Sequence, residues 1–543
     1  MHQTTAVLFV REGLFKIRRV RSNITLMMRT TLKQMAEKVE RGLVRHEWRW
    51  VFGCIMALLV LALAVDLRQK MWLDELYTFY TASQANPVEV VRALMEGTDG
   101  MPPAYSILVN LLLHVSPIDA LAVRLPATLG YCGMVFFLYA FCRRRLTVLY
   151  AMAAAALACL LNINYINDGR CYGVALCCIA GALYSWQLAA EGQDRRRNLL
   201  LLAFFLTVMT SMHYYSVFTL LPLFAGELIR ARMTRRIDLP LLLTGLGPLL
   251  ILAIHYPVMQ ALKRLQPHYW AFALWSDIPD FYVHRLLPLP LLGLAALALI
   301  ALFPGTKPRT GPENRSLRAY EWVVLVGFTL LPVLVVTLAM FTTHIFVERY
   351  VCWAVIGGAL LFTGIVQSAS RSGPAAGLMI LAVAISVTGV YETRRLTSGG
   401  PLIRQYPSAP GDLDNLLTQL ATLTYGAEPL LVEDPGLYLE LAHYAQPPLQ
   451  QRITYPLNEA LDVKYFGNDT NTLLLRSIRA RTKLRMLDDQ ELMKYPQFLV
   501  LAIGRSYLPK HLRAAGYTLK PVLPESVPLL FQVEAPATVG QSK

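Results

Sequence analysis

Apolar runs recur along this chain every few tens of residues, and they limit what it can fold into more than any other feature. They lie at about 51–66, 121–142, 147–163, 171–190, 199–212, 215–229, 239–256, 285–304, 320–341, 351–368 and 375–391. Each is near the roughly 20 residues that a helix needs to cross a bilayer. Backbone N–H and C=O groups find no water in hydrocarbon, so segments of this kind must satisfy them internally as helices. With 55% hydrophobic residues and a mean hydropathy of +0.42, the 543-residue chain is predicted to be a polytopic α-helical membrane protein with about eleven transmembrane helices.

Charge then sets orientation. The net charge is +15, and the first 50 residues carry eleven Lys and Arg against four Glu. The basic clusters at Arg143–Arg145, Arg195–Arg197, Arg230–Arg236, Lys307–Arg318 and Arg371 all fall on one side if the amino terminus is cytoplasmic, as the positive-inside rule requires. The basic excess therefore reads as orientation and attraction to membrane lipids, with no nucleic acid implied. Residues 6–10 are too short an apolar core for a cleavable signal, so the first span is expected to be the anchor. The eight cysteines lie in or beside apolar segments and outline neither a disulfide framework nor a metal site.

On the opposite face the same bookkeeping gathers four loops: 67–105, 162–172, 212–215 and 342–350. The first holds adjacent carboxylates, Asp74 and Glu75, just past an apolar run, where an ionisable group is costly and points to function. A plain solvated loop is the alternative. Within that loop Asn86 followed by Glu89 resembles a helix cap, with Val88, Val91, Leu94 and Met95 at helical spacing. Pro102-Pro103 forces a turn before the next apolar segment and returns Asp99 toward the membrane surface. The chain thus divides into a basic cytoplasmic segment (1–50), a transmembrane catalytic domain (51–395) with the loop 67–105, and a tail (396–543).

The tail alternates short apolar runs with helical patterns, as in PLLVEDP, YLELAHYA and FLVLAIG, and is predicted to be a soluble α/β domain beyond the membrane. It carries no GxGxxG, P-loop, HExxH or GxSxG pattern. Glu433 and His443 read as structural residues.

Asp74-Glu75 after the first span, Pro102-Pro103 with Tyr105, then VRLPATLGYCGMVFFLYAFCRRR, NYINDGRCYGVAL, MHYYSVFTLLP and VERYV resemble one family in order and in membrane side. This is the GT-C superfamily of glycosyltransferases that use polyprenyl-phosphate sugars, including protein O-mannosyltransferases and bacterial aminoarabinose transferases acting on lipid A. The resemblance covers about residues 50–230 and the Arg349-Tyr350 loop. Two departures stand out: Met101 replaces a His often found before the Pro-Pro pair, and Asp168-Gly169-Arg170-Cys171-Tyr172 replaces a Glu-x-Arg-x-Tyr pattern. The resemblance implies a polyprenyl-phosphate sugar donor, an acceptor that is an envelope glycan, lipid or protein, and a place in the bacterial inner membrane with the tail in the periplasm.

Chemistry reaches the same residues. A sugar–phosphate bond already holds a good leaving group, so the site needs one base and some cations, unlike the two-carboxylate glycosidases. Asp74 takes the acceptor proton in this reading, by its match to the family's leading acidic position, and Glu75, whose side chain must diverge from it, organises the loop or touches the acceptor. Arg170 and Arg349 offer paired donors for phosphate oxygens, and Asp99, Asp168, Tyr172, His213 and Tyr350 complete the substrate-binding set. Plain roles weigh against these: the arginines as interfacial anchors, Asp168 pairing with Arg170, Glu348 pairing with Arg349. The carboxylates Asp74, Glu75, Asp99 and Asp168 could hold a divalent cation, Mg²⁺ or Ca²⁺, through oxygen ligands, but nothing in the sequence fixes such a geometry. A flippase or transporter of lipid-linked sugars is the main alternative; it calls for broken helices or internal repeats, and the sequence displays neither. A sensor or scaffold leaves the Asp74-Glu75 placement unexplained.

Overall fold

The computed structural model describes Thr31 and residues 34–302, 316–371, 373–398, 413–422, 428–503, 506–523 and 529–536. Most of the basic amino-terminal segment, the loop after residue 302 and the linker at 399–412 lie outside the described residues.

Every predicted apolar run contains helix. The helices that frame the site are α1 (Glu47–Arg68), α2 (Leu73–Ala82), α3 (Pro87–Met95), α4 (Pro103–Leu113), α5 (Asp119–Arg143), α6 (Val148–Leu161), α7 (Tyr172–Ala190), α8 (Arg195–Met212), α9 (Leu220–Thr234), α10 (Ala354–Ala369) and α11 (Pro374–Ser398). Among the described residues, α1, α5, α7 and α11 are each long and apolar enough to cross a membrane, and the molecule is a multi-pass membrane protein.

Three further apolar pairs, Leu239–Ile254 with Tyr256–His268, Asp277–Leu286 with Pro288–Leu302, and Ala319–Thr329 with Leu331–Phe341, bend by 54°, 47° and 48°. The sequence reading foresaw no broken helices, and proline explains the difference. Pro257, Pro288 and Pro332 follow the three breaks, and each lacks the N–H that would bond back across the bend.

Two local expectations hold. The Asn86 side chain accepts from the N–H groups of Val88 and Glu89, 3.0 and 3.1 Å, and starts α3. Pro103 opens α4, where a missing N–H costs nothing. Helices α5 and α7 meet backbone to backbone: a methyl group at Gly130 would sit 2.7 Å from the Val174 nitrogen, so only glycine permits the approach. That crossing lays the loop before α7 against α5.

The tail builds a six-stranded sheet from β1 (Leu430–Val432), β2 (Ile453–Pro456), β3 (Met486–Leu487), β4 (Gln497–Ala502), β5 (Thr518–Leu523) and β6 (Leu529–Glu534), in the order β3-β2-β1-β4-β6-β5. The first four strands in that order run parallel, and β6 and β5 are antiparallel. Side chains alternate between faces, as the strand period dictates. Leu430, Val432, Leu499 and Leu501 join the core that continues into the membrane helices, whereas Leu431, Phe498 and Val500 pack with Leu508 and Leu512 on the other face. The tail helix Pro435–Tyr444 lies on that face and packs in turn against α2.

The α/β unit rests directly on α2 and its neighbours. The Met71 N–H donates to the Tyr444 hydroxyl at 2.8 Å, and the Tyr77 hydroxyl donates to Asn471 at 3.1 Å. His443 packs against the Phe79 ring at 4.8 Å, a structural place for that residue. Arg481 bonds Glu96 at 2.6 Å and reaches Glu89 at 3.3 Å. Glu433 is likewise committed, accepting from the N–H groups of Tyr507 and Leu508.

Candidate active site

The first turn of α2 presents Asp74 and Glu75 in different directions, as neighbours on a helix must. Glu75 turns inward and is fully buried. Its oxygens accept from Arg124 Nε at 2.7 Å and Nη2 at 2.6 Å, from the Gly169 N–H at 2.7 Å and from the Trp72 N–H at 3.1 Å. Arg124 spends its remaining N–H groups on the carbonyls of Asp66, Gln69 and Lys70, closing the end of α1. Every strong direction of the Glu75 carboxylate is taken by these donors. It fixes the α1–α2 turn to the Asp168–Arg170 loop.

Asp74 faces the other way, and Arg349 reaches it. Nη1 of Arg349 lies 2.6 Å from Oδ2 of Asp74, with the side chains 11% and 16% exposed. This is a charge contact whose angles fall short of a directed hydrogen bond, and Oδ2 finds no hydrogen-bond donor among the described residues. Arg349 sits on a short 3-10 turn, Glu348–Val351. Glu348 does not pair with it as weighed from sequence, but with Arg285, which also donates to the Tyr165 hydroxyl at 2.9 Å.

Arg170 lies under the pair. It grips Asp99 with two N–H groups, 2.7 and 3.1 Å, and its Nη1 also meets the Asp74 carbonyl at 2.9 Å and the Thr78 hydroxyl at 2.8 Å. So Arg170 partners Asp99, and the weighed pairing with Asp168 does not form. Asp168 keeps a buried Oδ1 with no hydrogen-bond partner among the described residues. Burial first, then the Glu75 charge, push its carboxyl up to about 7, against the pull of Arg349 and Arg170.

Aromatic side chains wall the opposite side. The His213 ring lies 5.6 Å from Tyr172, 5.0 Å from Tyr350 and 5.5 Å from Trp353. Tyr350 shares a 3.0 Å hydroxyl contact with Tyr269. His213 is pushed down to about 3 by burial and then by the charges of Arg349 and Arg170, so it is neutral at physiological pH. The Tyr172 hydroxyl, His213 Nδ1 and Arg349 Nε join Asp168 Oδ1 as buried polar atoms with no hydrogen-bond partner among the described residues. Such atoms are rare in a finished interior, and several around one charge pair mark a place built for something else to bind.

All four loops from the sequence contribute to this one place. The sequence missed Arg124 and Arg285, and Tyr269 reads from it as part of an interfacial aromatic belt. Arg124 had a signal, as a lone charge inside an apolar run; Arg285 had none, being a single residue on a segment without a motif. The four carboxylates do not form a cation site: Asp74, Glu75 and Asp99 each face their own arginine, and the described residues hold no group of three or more His, Cys, Asp or Glu placed to bind a metal.

Residues 101–260 match the family model described as dolichyl-phosphate-mannose-protein mannosyltransferase. No curated protein sequence matches the chain. Two solved structures of ArnT from Cupriavidus metallidurans resemble the whole molecule. The apo state has a TM-score of 0.51 at 12% identity, covering 92% of this chain and 100% of that one. The form bound to undecaprenyl phosphate has a TM-score of 0.49 at 11% identity, covering 91% and 99%. The chain thus resembles a mannosyltransferase family in residues 101–260, as its motifs suggested, and shares its fold with apo ArnT.

Proposed function

We propose that the protein transfers a sugar from a polyprenyl-phosphate donor to an acceptor hydroxyl of the cell envelope, in a glycan, lipid or protein. The observation that carries this reading is the Asp74–Arg349 pair, which sets a carboxylate and a guanidinium 2.6 Å apart where four loops meet. The matched family model and the ArnT-like fold support it.

In this mechanism the acceptor oxygen attacks the anomeric carbon while Asp74 takes its proton. The bond from that carbon to the phosphate oxygen breaks with its electron pair staying on oxygen, and polyprenyl phosphate leaves with one more negative charge than the donor carried. Arg349 meets that charge with paired donors. Arg170 and Asp99 hold the Asp74 backbone, Glu75 and Arg124 hold the helix beneath it, and Asp168, Tyr172, His213 and Tyr350 face the sugar. About eleven crossings with a cytoplasmic amino terminus put these loops and the α/β domain in the periplasm of a bacterial inner membrane. The transporter reading is the weaker, because Asp74, Arg170 and Arg349 stand away from the breaks of the bent spans.

The test is transfer by purified protein in lipid, with a polyprenyl-phosphate sugar and crude envelope acceptor. Asp74→Asn is expected to lower the rate by about a hundredfold to ten-thousandfold while donor is still retained. Full activity of Asp74→Asn would end this mechanism.

A further inference from the structure

We propose that Arg349 is held in turn by Asp74 and by the donor's phosphate, so that arrival of the donor uncovers the base. The proposal rests on the glycosyl-transfer reading above and adds an order of events to it.

Besides Arg285–Glu348, three arginine–carboxylate pairs surround the site, and they are built differently. Arg124 binds Glu75 with two N–H groups and three backbone carbonyls with the rest. Arg170 binds Asp99 with two and adds the Asp74 carbonyl and the Thr78 hydroxyl. Opening either pair would orphan several buried groups at once. Among the described residues the Arg349 side chain has only the contact with Asp74, which lacks hydrogen-bond alignment, and its Nε is buried with no hydrogen-bond partner. Of the three pairs it is the one that can open without leaving backbone carbonyls or a hydroxyl unsatisfied.

While the pair is closed, the Asp74 carboxylate is directed at a cation and is a poor acceptor for an acceptor's proton. A phosphodiester brings an anion with two free oxygens, which matches the planar guanidinium fork better than a misaligned contact to one carboxylate oxygen. As Arg349 turns to the phosphate, the Asp74 carboxylate loses the cation in contact with it, Arg170 being committed to Asp99, and faces the anomeric carbon of the same donor. The base is thus engaged when there is no sugar to transfer and released when there is. Donor therefore binds before the acceptor is activated.

The experiment measures binding of a polyprenyl phosphate, and of the matching polyprenol as control, to the full-length protein in nanodiscs, with thermal unfolding to confirm that each variant is folded. Asp74→Asn is expected to bind the phosphate roughly tenfold more tightly than wild type, because Arg349 no longer has to be taken from a carboxylate. Asp168 stands close enough to influence Arg349, so Asp74→Asn with Asp168→Asn is measured as well, and the gain is expected in one or both. In an Arg349→Gln background the Asp74→Asn gain is expected to vanish. Equal or weaker binding by both Asp74 variants overturns the proposal. So does a gain that survives in Arg349→Gln, since it would then reflect only the lost negative charge. If wild type binds the phosphate no better than the polyprenol, the glycosyl-transfer reading itself fails, which is a separate result.

Discussion

Glu75 and Arg124 come from helices 49 positions apart and meet through two parallel hydrogen bonds, 2.7 and 2.6 Å, with both side chains almost wholly out of solvent. A buried pair of this kind says little about net stability while intact, but losing one partner leaves an uncompensated charge, which costs about 3–5 kcal/mol. Glu75→Ala is therefore expected to lower the thermal midpoint sharply, and the double variant Glu75→Gln, Arg124→Gln to recover part of the loss. If Glu75→Ala melts like wild type but transfers no sugar, the glutamate is a reacting group after all.

Replacing Arg349 with Lys keeps a charge beside Asp74 but loses the planar fork. Transfer is expected to fall at least about tenfold with folding unchanged. Wild-type turnover would mean that the residue serves only as a membrane-surface cation.

The raised carboxyl of Asp168 predicts a pH effect of definite sign. Its value rises from an ordinary 3.8 to about 7 on folding, so the folded state binds its proton more tightly than the unfolded chain does. Its contribution to stability is full below about pH 4 and is lost as pH rises to about 7. The thermal midpoint of wild type is expected to drop across that window by more than that of Asp168→Asn. Parallel curves for the two proteins would remove Asp168 as the source.

Topology is open to direct measurement. A reporter active only outside the cytoplasm is expected to signal when fused at Gly97 or Gly467 and to stay silent at Asp194. Signal at Asp194 together with silence at Gly467 would reverse the assignment of sides and take the site to the other face.

The long-period features were legible in the sequence because local chemistry determines them. Apolar run length gave the helices, Asn86 gave a cap, Pro102-Pro103 gave a turn, and the alternation of basic clusters put four loops on one side. Partnership was not legible. Nothing local tells that Arg170 takes Asp99 from 71 positions away rather than Asp168, or that Glu75 lies fully buried rather than in a solvated loop. Those outcomes depend on the glycine-mediated crossing of α5 and α7, which decides which loop lies against which helix. The bends were missed for a different reason: Pro288 and Pro332 sit inside runs whose composition alone reads as continuous, and Pro257 stands just past the end of another.

The seat of the α/β unit on α2 also has a consequence for timing during synthesis. The Met71 N–H and the Tyr77 hydroxyl wait for Tyr444 and Asn471, residues made more than 300 positions later. Ribosomes deliver α2 early and its clamp near the end, so this helix waits for most of the chain before its contacts are complete. A chain stopped before residue 430 would keep the membrane helices yet leave the helix bearing Asp74 without its cover, making the last quarter of the gene a checkpoint on the first.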